Sequence, residues 1–116
     1  MPMIRLQLSA PLDPAKQSEL MKRLSSSVAG VLGKPESYMM VVLDPQRPIL
    51  MSGQDRPAAL AEVRSVGTIS PEQARSLSGA ISEIVGEATG IGADRIYSNF
   101  TGVPGAMWGH GGRTFG

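Results

Sequence analysis

Near the start of the chain Ile4, Leu6 and Leu8 alternate with Arg5 and Gln7, the period of two that a half-buried strand requires. The period then changes. Leu20, Leu24, Val28 and Val31 fall on one helical face, and Leu77, Ile81, Ile84 and Ala88 repeat that arrangement in the second half, so two amphipathic helices are predicted. Their ends are marked by local chemistry. Asp13-Pro14 and Ser70-Pro71-Glu72-Gln73 each put a capping side chain ahead of a proline in the first turn, the second as a Ser-x-x-Gln box. Gly33 and Gly90 follow the last periodic positions as C-terminal caps. Starts and stops share one spacing of 57 residues, from 14 to 71 and from 33 to 90.

Strand-like runs flank both helices: Met3 to Leu8 and Tyr38 to Leu43 around the first, Leu60 to Val66 and Arg95 to Phe100 around the second. The order β-α-β therefore occurs twice. The chain reads as a single α+β domain over 1–116 with pseudo-repeats of about 1–57 and 58–116. The expected architecture is a four-stranded mixed sheet with two antiparallel helices on one face. Tyr38-Met39-Met40-Val41-Val42-Leu43 is apolar throughout, which predicts burial on both faces. Two helices cover only one face, so a homo-oligomer with meeting sheet faces is expected, unless Ile49-Leu50-Met51 and the tail fold over the strand. The glycine-rich stretch Thr101 to Gly116 reads as loop with a short edge strand. Its aromatics, Trp108 and Phe115, are either packing plugs or the wall of an apolar pocket.

Composition narrows the function classes. Hydrophobic residues make up 41% and charged residues 18% of 116, the balance of a folded soluble domain. The formal net charge is +1 and the basic residues are scattered, which argues against a nucleic-acid or anionic-membrane partner. With no cysteine, disulfides, Cys-ligated zinc and thiol redox chemistry are excluded. No charged segment leading into a long apolar run is present, so a cytoplasmic protein without a leader or membrane span is expected. Gly90-Ile91-Gly92-Ala93-Asp94 follows a helix and lacks a third glycine, so it is not a dinucleotide motif.

Few residues suggest chemistry by themselves. Pro2 stands directly before the first strand, where its missing N–H is tolerated, and a freed N-terminal proline would carry a secondary amine at the sheet edge. Lys34, just past a helix-ending glycine, complements the helix dipole. Tyr97 and Asn99 are two apart and share one sheet face, with Ile96, Ser98 and Phe100 on the other. His110, the only histidine, lies in Gly109-His110-Gly111-Gly112 and reads as a solvated loop residue.

Taken together in order and spacing, several pieces resemble the macrophage migration inhibitory factor family of the tautomerase superfamily along essentially the whole chain. They are Met1-Pro2-Met3, Gly33-Lys34-Pro35 followed by Tyr38, Ser65-Val66-Gly67, Asp94-Arg95-Ile96-Tyr97-Ser98-Asn99, Trp108 and Thr114-Phe115. The resemblance implies a homotrimer of β-α-β-β-α-β subunits around a central channel. It further implies keto-enol tautomerisation of phenylpyruvate or hydroxyphenylpyruvate with neither a metal nor an organic cofactor, and with D-dopachrome as an artificial substrate. Carried over by position, Pro2 would be the general base once Met1 is removed, and Lys34 would hold the substrate carboxylate with the Val66 N–H and, from the adjacent subunit, Asn99. Tyr97 of that subunit would line the pocket with Tyr38, Trp108 and Phe115, and Ser65 belongs to the same carried-over set. Physical chemistry agrees with such a base. Desolvation and a nearby lysine ammonium both disfavour the charged form of an α-amine, whose ordinary pKa is about 7.7–8.0.

The departures also carry information. Where the family's animal cytokines have Cys-x-x-Cys, this chain has Pro57-Ala58-Ala59-Leu60-Ala61, so the associated thiol activity does not transfer. The arginine and aspartate those cytokines use in receptor contact correspond to Leu12 and Gln46, which argues against receptor signalling. A cytokine-like or receptor-binding protein with weak catalysis is the alternative expectation. The tail is longer between Trp108 and Phe115 than the family pattern, and the loop before it is shorter.

Overall fold

Asp13 and Ser70 cap their helices as the sequence predicts. Each side-chain oxygen accepts a backbone N–H of the first turn, from Lys16 at 2.9 Å and from Gln73 at 3.1 Å, and the Gln73 side chain closes the capping box on Ser70 N–H. The computed structural model describes residues 1–116. In order it contains β1 (Pro2–Leu8), α1 (Pro14–Leu32), β2 (Met40–Asp44), β3 (Ala59–Val66), α2 (Pro71–Thr89), β4 (Ile96–Val103), β5 (Gly109–His110) and β6 (Arg113–Thr114), with 3-10 turns at Glu36–Tyr38, Ala93–Arg95 and Gly105–Met107. The 57-residue spacing extends beyond the helices, since the 3-10 turns at Glu36–Tyr38 and Ala93–Arg95 obey it too.

The four long strands form one mixed sheet in the order β2-β1-β3-β4. β1 pairs parallel with β2 and antiparallel with β3, and β3 pairs parallel with β4. Both helices lie on one face. There Ile4, Leu6, Leu8, Ala61 and Val63 meet Leu20, Leu24, Val28, Leu77, Ile81 and Val85, all at most 1% exposed. Each large aliphatic side chain buried this way contributes about 1.5–3 kcal/mol. The core thus fixes the β1–β3 register, because a slip of one residue would turn Arg5 and Gln7 inward.

Two expectations are corrected. The second strand begins at Met40, and Tyr38 belongs to a 3-10 turn entered from Pro35, which holds extended backbone before it. That strand is an edge, with Val41 and Leu43 packed against the core and Met40 59% exposed, so its second face is open within one chain, the face for which the sequence expects a neighbouring copy. The sheet face away from the helices is mixed in character. Rows across it read Met40-Met3-Arg64-Thr101, Val42-Arg5-Glu62-Asn99 and Asp44-Gln7-Leu60-Tyr97, and the Arg5 Nε–Asp44 Oδ2 pair at 3.3 Å spans two of them. The tail, finally, folds into its own hairpin, β5–β6. Gly111 and Gly112 both take positive φ (61° and 82°), the conformation a two-residue hairpin turn demands.

Segment 45–58 does not cover the outer face. It is tied to the end of β1 by Arg47 N–H to Leu8 O (3.0 Å) and Gln46 N–H to Ala10 O (3.3 Å), leaving Leu50 72% exposed. Arg95 locks it from beneath. Only 6% exposed, its guanidinium donates to the carbonyls of Pro57 (2.9 Å), Arg56 (2.9 Å), Met51 (3.2 Å) and Gln54 (3.2 Å).

Candidate active site

Pro2 opens β1 opposite Ser65 of β3 and is fully buried. Lacking an N–H, it takes the first position of a central strand without leaving a ladder donor unpaired. Met1 extends the strand pairing by one step, for Val66 N–H donates to the Met1 carbonyl at 3.0 Å. The end of α1 brings a cation to the same corner. Gly33 adopts φ 65°, its N–H reaches Gly30 O at 3.2 Å and Lys34 N–H reaches Ala29 O at 2.9 Å, a doubly bonded left-handed stop that carries the chain off the helix axis. Lys34 then lies close enough to act on the terminal amine. Burial, and secondarily the Lys34 ammonium, hold the Met1 amine below the ordinary α-amine range.

A cleft runs past this corner. A cavity of about 400 Å³ lined by Met1, Tyr38, Val66, His110 and Phe115 adjoins one of about 270 Å³ whose walls include Met1, Pro2, Tyr38, Met39, Trp108 and His110. The two share Met1, Tyr38 and His110. Tyr38 is presented by its 3-10 turn, and Trp108, His110 and Phe115 by the tail hairpin, where Phe115 N–H is fixed to Gly105 O at 3.0 Å. The remaining hollows are different in kind. The one between the helices, about 250 Å³, is lined by the charged side chains Lys16, Glu19, Arg23 and Glu87 and bridged by the Arg23–Glu87 pair at 2.8 Å. No set of three or more His, Cys, Asp or Glu side chains converges as metal ligands.

The structure brings Pro2, Tyr38, Val66, Trp108 and Phe115 around one cleft, with Lys34 beside its amine. Three other residues named from the sequence lie elsewhere. Ser65 is 2% exposed beneath Pro2, and its hydroxyl donates to Val66 O at 3.4 Å instead of facing the cleft. Tyr97 and Asn99 project from β4 on the outer sheet face, Tyr97 66% exposed. In register the Pro2 level of the sheet continues through Ser65 to Gly102, five residues along β4 from Tyr97, or roughly 17 Å at strand rise. Neither can reach the cleft of its own chain. His110 was legible only as a loop residue. Its place in the wall comes from the Gly111-Gly112 turn, a hairpin signal that the surrounding glycines obscure.

The fold recurs in known proteins. The family model described as macrophage migration inhibitory factor matches residues 1–116. A macrophage migration inhibitory factor homolog of Trichuris trichiura is 35% identical over 97 residues, covering 84% of this chain and 85% of that one. Among solved structures, the homologue from Prochlorococcus marinus superposes with a TM-score of 0.92 at 38% identity, covering 98% of this chain and 99% of that one. A structure of Pt0534 inactivated by 2-oxo-3-pentynoate superposes with a TM-score of 0.86 at 26% identity, covering 97% and 94%.

Proposed function

Because the chain belongs to the macrophage migration inhibitory factor family, we propose that it is a cofactor-independent keto-enol tautomerase of small aryl α-keto acids, phenylpyruvate and hydroxyphenylpyruvate among them, with the Pro2 amine as base once Met1 is removed. The observation that carries this reading is the terminal amine held below its ordinary range by burial and by Lys34. The same surroundings would keep the adjacent Pro2 amine neutral at physiological pH, and a neutral amine is a base. That a structural neighbour is inactivated by a small 2-oxo acid supports the substrate class.

The reaction follows from the groups around the cleft. Pro2 takes a proton from the carbon next to the ketone, the C–H electron pair forms the carbon–carbon double bond, and the carbonyl pair moves to oxygen. Returning the proton to that oxygen gives the enol. Lys34 pairs with the carboxylate. Loss of Met1 frees the Val66 N–H, now bonded to the Met1 carbonyl, to donate to the same carboxylate. Stabilising charge with fixed donors where water is excluded is the larger part of such catalysis. Tyr97 and Asn99, out of reach within one chain, would enter from the adjacent subunit of a homotrimer. Receptor binding of the cytokine type is less well supported, since Leu12 and Gln46 offer no charge where the animal proteins use an ion pair's worth of residues.

The test is direct. Protein shown by mass to lack Met1 should tautomerise phenylpyruvate, and Pro2→Ala should lower kcat/KM by about 10² or more. Undiminished turnover in Pro2→Ala would overturn the reading.

A further inference from the structure

His110 stands out in the cleft. It lines both cavities, and its ring lies nearly parallel to that of Phe115, at 11° with centroids 6.0 Å apart. Trp108, two residues earlier, holds extended backbone between the 3-10 turn and the hairpin strand, so the two side chains leave the chain on the same side. None of the chain's side-chain hydrogen bonds or ion pairs engages its ring nitrogens. Met1, Val66 and Phe115, which share the larger cavity with it, offer no polar side-chain group, and only the Tyr38 hydroxyl accompanies it there.

A neutral imidazole carries one N–H donor and one bare nitrogen acceptor. That pair of functions matches a phenol hydroxyl, which both donates and accepts. We propose that His110 is a specificity-determining residue, its imidazole oriented by Phe115 to hydrogen-bond the ring hydroxyl of a hydroxyaryl keto acid lying in the cleft. The inference rests on the tautomerase reading for the site itself. It adds a preference for a hydroxylated over a plain phenyl ring, set by a side chain of the tail hairpin.

The test compares phenylpyruvate with 4-hydroxyphenylpyruvate on Met1-free wild type, His110→Phe, His110→Gln and Tyr38→Phe. His110→Phe keeps an aromatic ring against Phe115 and deletes both nitrogens. It should lower kcat/KM for the hydroxylated substrate by about three- to tenfold, the worth of one hydrogen bond, and change phenylpyruvate by less than about twofold. His110→Gln should restore part of the preference, whereas Tyr38→Phe should leave it standing. An unchanged substrate ratio in His110→Phe, or an equal loss on both substrates, overturns the proposal while the tautomerase reading stands. Turnover of neither substrate by wild type defeats the tautomerase reading, and the ratio of the two dissociation constants by calorimetry on the same variants then decides on His110 alone.

Discussion

The Met1 carbonyl accepts from Val66 N–H at 3.0 Å, so the initiator residue occupies two groups of the proposed site at once. It ties up the donor on β3 and turns the Pro2 nitrogen into an amide without basicity. A preparation that retains Met1, verified by mass, should show no more than about 1% of the phenylpyruvate turnover of the processed form, the loss expected when a positioned base is absent. The electrostatics of the corner give a second expectation. Activity requires the neutral amine, so kcat/KM should rise with pH as the proton leaves. Burial and Lys34 lower the Met1 amine, and the same surroundings should bring the midpoint of that rise for Pro2 below the ordinary α-amine value of about 7.7–8.0. Lys34→Gln removes the smaller of the two causes. Its pH profile should move to higher pH, and KM should increase because the carboxylate loses its cation.

At the scale of the elements, the two helix stops allow a controlled comparison. Gly33 and Gly90 both sit at positive φ, 65° and 78°, where a side chain is strained by about 1 kcal/mol or more. Gly33→Ala and Gly90→Ala should therefore lower Tm by similar amounts, but only the first should raise KM for phenylpyruvate, because only Gly33 aims Lys34. The stops, the caps and the strand–helix order were legible in the sequence because each is written within a few neighbouring residues: Asp13-Pro14, Ser70-Pro71, an alternation, a helical stripe. The edge position of β2 was not, since no local pattern distinguishes an apolar edge strand from a central one. Pro2, Val66 and Phe115 are drawn together only by the β1–β3 register and the tail hairpin. Their convergence could be expected from a family resemblance but not from the residues, and His110, flanked by glycines, reads in the sequence only as a solvated loop residue.

For the whole molecule, the decisive geometry is the distance between the Pro2 corner and the outward-facing Tyr97 and Asn99 on β4. A second copy would have to bring these residues to the cleft. Sedimentation of the processed protein should give a species of three subunits. Pro2→Ala and Asn99→Ala should each be impaired as pure assemblies, the second mainly in KM. Reassembled from an equal mixture, roughly a quarter of the sites should combine an intact Pro2 with an intact neighbouring Asn99, as random mixing in a closed ring dictates. Regained activity of that order measures intersubunit sites directly, whereas a mixture no better than the average of its parents would place each site within one chain.

The 57-residue spacing also has a sense that emerges only in three dimensions. Shifted by that amount, Pro2 falls on Ala59, Lys34 on Ile91 and Tyr38 on Arg95, residues that are 4%, 4% and 6% exposed. One quasi-twofold mate is an open mouth and the other a sealed joint, its space taken by Arg95 and the four carbonyls it grips. The duplicated motif divides its labour, and the division should be visible in mutants. Changes at Tyr38 should register in kinetics with little shift in Tm, while Arg95→Met, which removes four charge-assisted hydrogen bonds to part-buried carbonyls, should register in Tm first.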